Sequence, residues 1–237
     1  VGRVLVLLGD GQGGFAPQPS PAGPNVDTVT VGDFNGDGKP DVAGVEHDSY
    51  EIRLYPGDGR GGLTVGPRFP GFTGTRPHTH AIQCADVNKD GHADLLTTNA
   101  DDDAVAVLLG NSKGFSPAAP IPAQRHPYAA IAVDDLNGDG HPDVVVPLIM
   151  TSAIGVYLGD GRGGFVPAPG SPLPVGERPG FAIVADANKD GRPDILATHD
   201  DVGQLDVLLN DGDGRFRTAP VSPVRVGSPA WSVAAAD

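Results

Sequence analysis

The 237 residues carry a formal charge of −14, with 39% hydrophobic and 5% aromatic content, 35 Gly, 24 Pro and one cysteine. An acidic chain without a basic patch argues against a nucleic-acid partner, and the lone Cys84 excludes an internal disulfide. No apolar run is long enough for a membrane span, and no apolar pattern of period 3.6 survives the density of Gly and Pro, so any core must come from short strands.

Taken in order, the chain opens on an apolar stretch that runs into Leu8-Gly9-Asp10-Gly11-Gln12-Gly13-Gly14-Phe15, a segment with hairpin-turn residues. A second apolar stretch runs into Asp33-Phe34-Asn35-Gly36-Asp37-Gly38-Lys39-Pro40-Asp41. The nine-residue pattern returns at Asp86–Asp94, Asp135–Asp143 and Asp186–Asp194. Its first Asp falls at 33, 86, 135, 186 and finally 237, in steps of 53, 49, 51 and 51. The Gly-rich turn keeps the same rhythm at Tyr55–Leu63, Leu109–Phe115, Leu158–Phe165 and Leu209–Phe216. Five copies of one unit mean a repeat architecture.

Each unit predicts four short strands. The first runs into the Asp loop, as at Ile131-Ala132-Val133, and the second leaves it, as at Val144-Val145-Val146. The third precedes the Gly-rich turn, as at Ala104–Leu109, and the fourth starts at the Phe after it. Repeated four-stranded units of this length fit an all-β propeller better than a sandwich or a solenoid of shorter rungs.

The nine-residue loop is built for a hard cation. Asp33, Asn35 and Asp37 at positions 1, 3 and 5 offer side-chain oxygens, Lys39 at position 7 offers its carbonyl, and Gly38 at position 6 permits the turn. Asp41 closes the loop at position 9, with no Glu at position 12 and no flanking helix. The same roles fall to Asp86, Asn88, Asp90, His92 and Asp94, to Asp135, Asn137, Asp139, His141 and Asp143, and to Asp186, Asn188, Asp190, Arg192 and Asp194. Three carboxylates in one short turn repel without a cation, so about four structural Ca²⁺ are expected. Weak loops of this kind fill only where calcium is near millimolar, which places the protein outside the cell, secreted or at a surface. The Ala, Gly, Pro, Arg and Asp content fits a bacterial source.

The loops, the strand pair after each and the G-D-G-x-G-G-F turn resemble FG-GAP/VCBS repeats, similar to those of integrin α-chain heads, over essentially the whole chain. The resemblance implies a propeller with its Ca²⁺ loops on the lower face, joining strands one and two of each blade. It leaves function open among adhesion, carbohydrate binding and enzymes. Residues 1–237 are expected to form one domain that starts and ends mid-repeat. Trp231–Asp237 would join Val1–Phe15 in a composite blade to close five blades, the alternative being part of a seven-bladed ring. Further chain or domains beyond this sequence are compatible with that reading.

The upper face gathers the remaining candidates. His47 and His199 end second strands, in Glu46-His47-Asp48 and His199-Asp200-Asp201, and links between blades carry Arg76-Pro77-His78-Thr79-His80 and Arg125-His126-Pro127-Tyr128. Histidines with nearby Asp suit a transition metal, as a metal or catalytic site at the channel mouth. His-x-His is a weak motif on its own, and histidines scattered over polar loops are the commoner case. Trp231, Tyr128, Arg125, Arg178, Asp48 and Asp101 would equally serve a glycan or protein ligand through stacking and hydrogen bonds. With no recognisable catalytic constellation, a binding module ranks ahead of a hydrolytic or oxidative metalloenzyme and of a purely structural segment of a larger surface protein. Cys84 is expected to be a small core residue, and Asp10, Asp58, Asp160 and Asp211 to be turn formers.

Overall fold

A computed structural model describes residues 4–19, 21, 25–72, 74, 78–124 and 126–236. Arg76, Pro77, Arg125 and Asp237, named above, lie outside the described residues. The chain is all-β, with four successive antiparallel sheets after a short hairpin. The hairpin pairs β1 (Leu7–Gly9) with β2 (Phe15–Pro17). The first sheet orders β3 (Val26–Gly32), β4 (Asp41–Glu46), β5 (Glu51–Tyr55) and β6 (Arg68–Pro70). The second contains β7 (Ile82–Ala85), β8 (Asp94–Asn99), β9 (Ala104–Asn111), β10 (Gly114–Pro117) and β11 (Ile121–Pro122). The third contains β12 (Ala132–Asp134), β13 (Asp143–Leu148), β14 (Ala153–Gly159), β15 (Phe165–Pro167) and β16 (Leu173–Pro174). The fourth contains β17 (Pro179–Ala185), β18 (Asp194–His199), β19 (Gln204–Gly212), β20 (Arg215–Thr218) and β21 (Val224–Arg225). A single 3-10 turn, Ala100–Asp102, is the helical segment among the described residues, and no helix there is long and apolar enough to cross a membrane.

The expected four strands per unit hold in the first sheet. In the other three the fourth strand is split, and β11, β16 and β21 pair separately with β9, β14 and β19. Pro120, Pro172 and Pro223 interrupt these edge strands, because proline lacks the N–H a continuous ladder needs and is confined to edges.

Successive sheets pack face to face. Val144, Val146 and Leu148 of β13 pack with Leu96, Val105 and Val107 of the second sheet. Val145, on the opposite face of the same strand, packs with Ile195, Ala197 and Leu208 of the fourth. Both faces of β13 are therefore covered, which is why it reads as an unbroken apolar run with every residue buried. Leu95 and Leu96 divide in the same way between the first and third sheets. Phe115, after the second Gly-rich turn, meets Phe69 edge-on at 5.2 Å and Phe34 at 6.1 Å, joining sheets one and two. Position 2 anchors three of the four loops to these cores: Phe34, Val87 and Leu136 are buried, whereas Ala187 is exposed.

The first strands of the four sheets, β3, β7, β12 and β17, surround a common open cavity of about 400 Å³ lined by Val29, Ile82, Ile131, Val133 and Ile183 among others. This is a blade-like arrangement, but among the described residues the ring does not close. The expected composite blade is not formed among the described residues. Trp231–Ala236 hold no strand, Trp231 is 71% exposed, and β1 pairs with β2 alone. Three-residue strands with every side chain exposed bury too little to recruit a further partner. Cys84 is half-buried beside the core of sheets one and two, and burial pushes its thiol up to about 11, so it is inert.

Two backbone positions test this arrangement. A Cβ on Gly159 would sit 2.2 Å from the Pro142 carbonyl oxygen, so Gly159→Ala should cost about 1–3 kcal/mol. Lys189 occupies a left-handed φ of +62° at loop position 4, where Gly36 and Gly138 stand in two other loops, so Lys189→Gly should stabilise by about 0.5–1 kcal/mol. Denaturant titration of the two variants reads both signs.

Candidate functional site

The acidic loops join first to second strands in all four sheets, at one end of the molecule. In the first, Asp33 accepts from the backbone N–H of Gly36, Asp37 and Gly38 at 2.8, 3.1 and 2.7 Å. Asn35 accepts from Asp37 N–H and Asp37 from Lys39 N–H, both at 2.9 Å. Bonding first from Gly38, then from Gly36 and Asp37, holds the Asp33 carboxyl below its ordinary range. The third loop repeats these bonds around Asp135, Asn137 and Asp139. The second and fourth repeat those donated from positions 5, 6 and 7, around Asp86, Asn88 and Asp90 and around Asp186, Asn188 and Asp190. Position 6 is Gly38, Gly91, Gly140 or Gly191, with φ between +77° and +85°. At position 7 the Lys39 ammonium lies 3.1 Å from Asp37 and the Arg192 guanidinium 2.5 Å from Asp190. The side chains of Lys39 and Arg192 therefore offset loop charge. His92 and His141 are the equivalent residues in the other two loops.

Position 9 has a role that sequence reading missed. Asp41, Asp94, Asp143 and Asp194 are each at most 1% exposed. One oxygen of each accepts from the position-2 N–H of its own loop, at Phe34, Val87, Leu136 and Ala187. The other accepts from the end of the third strand, at Gly57, Gly110, Gly159 and Asn210, over 2.7–2.8 Å. The close glycine at that strand end was the available signal. Each carboxylate thus ties the loop to the neighbouring hairpin. Burial pushes Asp143 up to about 6, with the charges of Asp139 and Asp135 adding to the shift against the two N–H bonds.

The donor set fits calcium. It is all oxygen, and a cation would offset the Asp139 and Asp135 charges that add to burial in raising Asp143. Asp10, Asp58 and Asp160 are turn formers as expected, each accepting two backbone N–H groups of its own Gly-rich turn.

The opposite end brings three of the five expected histidines together. Among the described residues, His78, His80 and His126 form the one set of His, Cys, Asp or Glu side chains that offers three donor atoms within 4.8 Å of one another. The rings of His78 and His80 lie 4.4 Å apart and those of His78 and His126 5.8 Å apart. Tyr128 lies 4.6 Å from His80, and Tyr50 5.7 Å from His78. The second sheet fixes the set. Thr98 Oγ1 accepts from His80 and Ala81 N–H, Asn99 Oδ1 accepts from His78 N–H, and Asp103 accepts from His126 N–H at 2.7 Å. His126 itself holds a left-handed φ of +66°. Asp101 Oδ1 lies 3.2 Å from His78 Nδ1, near but not aligned for a hydrogen bond, and 4.0 Å from His126 Nδ1. Burial, then the charges of His78 and His126, push His80 down to about 4, so its imidazole is neutral at physiological pH.

The other candidates stand apart. His47 is exposed and pairs with Asp27 at 2.6 Å. Asp48 is exposed on the turn after β4, and Trp231 is exposed without a strand. His199 is fully buried, with Nε2 3.0 Å from Asp206 and Nδ1 2.8 Å from the Glu177 carbonyl. Asp200 is buried against Gly180, with Arg178 3.9 Å away.

A family model described as the FG-GAP-like repeat matches residues 2–44, 33–97, 86–146 and 186–237. The chain belongs to the FG-GAP-like repeat family. No curated protein matches it. Among solved structures, this FG-GAP-like chain is similar to a protein of unknown function from Desulfotomaculum acetoxidans DSM 771, at 12% identity and a TM-score of 0.65, over 92% of this chain and 62% of that one. A Lactobacillus plantarum protein matches at 12% identity and a TM-score of 0.58, over 87% and 58% of the two chains. BBS1N, solved in complex with ARL6DN, matches at 13% identity and a TM-score of 0.55, over 81% and 55%. The chain therefore spans about three fifths of the length of these structures, and at such identities they speak for the fold alone.

The buried histidine gives a pH test. Burial alone would discharge His199, but the Asp206 hydrogen bond, the Glu177 carbonyl and the Asp206 and Asp200 charges together raise it above 6.5. The His199 hydrogen bond outweighs burial and lowers Asp206 to about 2 from 3.8. The His199 contribution is complete below 6.5 and lost as pH rises through its folded value; the Asp206 contribution is complete above 3.8 and lost as pH falls towards 2. The melting-temperature gap between the native chain and His199→Gln should be widest near about pH 5 and narrow by about pH 9. A gap independent of pH would mean His199 is neutral in the fold.

Proposed function

We propose that this chain is a calcium-stabilised repeat module of propeller type, working outside the cell, that binds a glycan or another protein across the end of its sheets bearing the interblade links. The observation that carries the reading is the repetition of one all-oxygen donor set at the same place in four sheets. Asp33, Asn35, Asp37, Asp41 and the Lys39 carbonyl would hold one ion, and the corresponding residues of the other three loops one each. Bound calcium supplies charge neutralisation and cross-links the two strands entering each loop. The position-9 carboxylates then transmit that rigidity to the third strand through their N–H bonds.

At the other end the exposed and half-buried groups suit recognition. Tyr128 and Tyr50 offer ring faces, and Asp101, Asp48 and Arg178 offer hydrogen-bonding charge at the rim. Such a surface can grip a sugar ring or a peptide without any catalytic group.

At about 1 mM Ca²⁺ and a Kd of about 0.1 mM, each site adds roughly 1.4 kcal/mol. Four sites would raise the melting temperature by roughly 10–20 °C. Thermal denaturation with calcium and with excess EGTA should differ by that amount. Equal melting temperatures would sink the calcium reading.

A further inference from the structure

We propose that His78, His80 and His126 form a second, chemically distinct metal site, one that takes a zinc-class divalent ion through three imidazoles. It lies at the opposite end of the sheets from the acidic loops and does not depend on the calcium reading. One ring nitrogen from each histidine lies within 4.8 Å of the other two. A tetrahedral ion with Zn–N bonds of about 2.0–2.1 Å sets nitrogen separations of about 3.3 Å, which small ring rotations reach from here. The donors come from two different interblade links, yet all three backbones are pinned to the second sheet by Thr98, Asn99 and Asp103. Pinning of this kind preorganises a site.

Two further observations point to an ion. His80 Nε2 is buried and has no hydrogen-bond partner, a state that costs free energy unless something else satisfies it. Asp101 stands beside the Nδ1 atoms of both His78 and His126, in the place of the outer carboxylate that orients metal-bound imidazoles. Their Nε2 atoms then remain as donors. Imidazole donors select zinc-class ions over calcium, whereas the acidic loops select the reverse. Three protein ligands leave the fourth position open to water, beside the mouth of the cavity where Ala81, Ala129 and Ala130 begin its wall.

The test is a Zn²⁺ titration of the calcium-loaded native chain by competition with a chromophoric chelator, with Co²⁺ absorption as a geometric readout. One Zn²⁺ should bind at about micromolar Kd or tighter, and Co²⁺ should give an intense tetrahedral band. His80→Ala and His126→Ala should each weaken Zn²⁺ by at least about 10-fold, and Asp101→Asn by a smaller factor up to about 10-fold. His47→Ala should leave Zn²⁺ binding unchanged. Circular dichroism checks each fold. Should His80→Ala fail to fold, His126→Ala, on a partly exposed link, decides alone. Absence of Zn²⁺ uptake at about 100 μM free metal, or full affinity in His126→Ala, would overturn the site, as would uptake that saturating calcium abolishes.

Discussion

The interaction on which the rest depends is the buried carboxylate at loop position 9. Asp41, Asp94, Asp143 and Asp194 each reach one backbone N–H in their own loop and one at the end of the third strand. A buried charge is tolerable only when its lone pairs are engaged. These are engaged on both sides, so each carboxylate fixes where the loop sits relative to the hairpin beside it. The close approach that follows explains the glycines at 57, 110 and 159, where a Cβ would meet a loop carbonyl at 2.0–2.3 Å. Asn210 replaces glycine in the fourth sheet and donates its buried amide to the Pro193 and Leu136 carbonyls, so the same junction also joins sheets three and four.

From this junction the two ends of the sheets diverge in chemistry. The loop end is hard oxygen and negative charge, held by backbone N–H groups. The link end is imidazole, phenol and scattered carboxylate, held by side chains of the second sheet. Between them run strands whose residues are buried on both faces, and these set the distance between the ends. A rigid body with two unlike ends suits a module that is stabilised at one and recognises or coordinates at the other.

Much of this was legible in the sequence because it repeats. The nine-residue pattern located the loops, and the period near 51 located the sheets. The apolar runs located the strands that are covered on both faces. What repetition could not supply is what differs between copies. Five histidines were placed on one end, but only three meet. His78, His80 and His126 lie on links that fold over the same sheet, whereas His47 lies on a turn of the first sheet beside Asp27. His199 ends a strand buried on both faces and turns inward to Asp206. Ring closure was also beyond the period, which counts units without saying whether the outer ones meet. Trp231–Ala236 form no strand, and β1 and β2 are too short to hold one. The role of position 9 was hidden for another reason: an Asp that also struts looks the same in sequence as one that only ligates.

The most direct measurement is elemental analysis of the native chain after dialysis against calcium-containing buffer free of chelator, paired with the same analysis of Asp135→Ala. The loops as described require about four calcium ions per chain and about three in the variant. A native count near zero, or a variant count equal to the native one, would contradict the central claim that these loops are calcium sites.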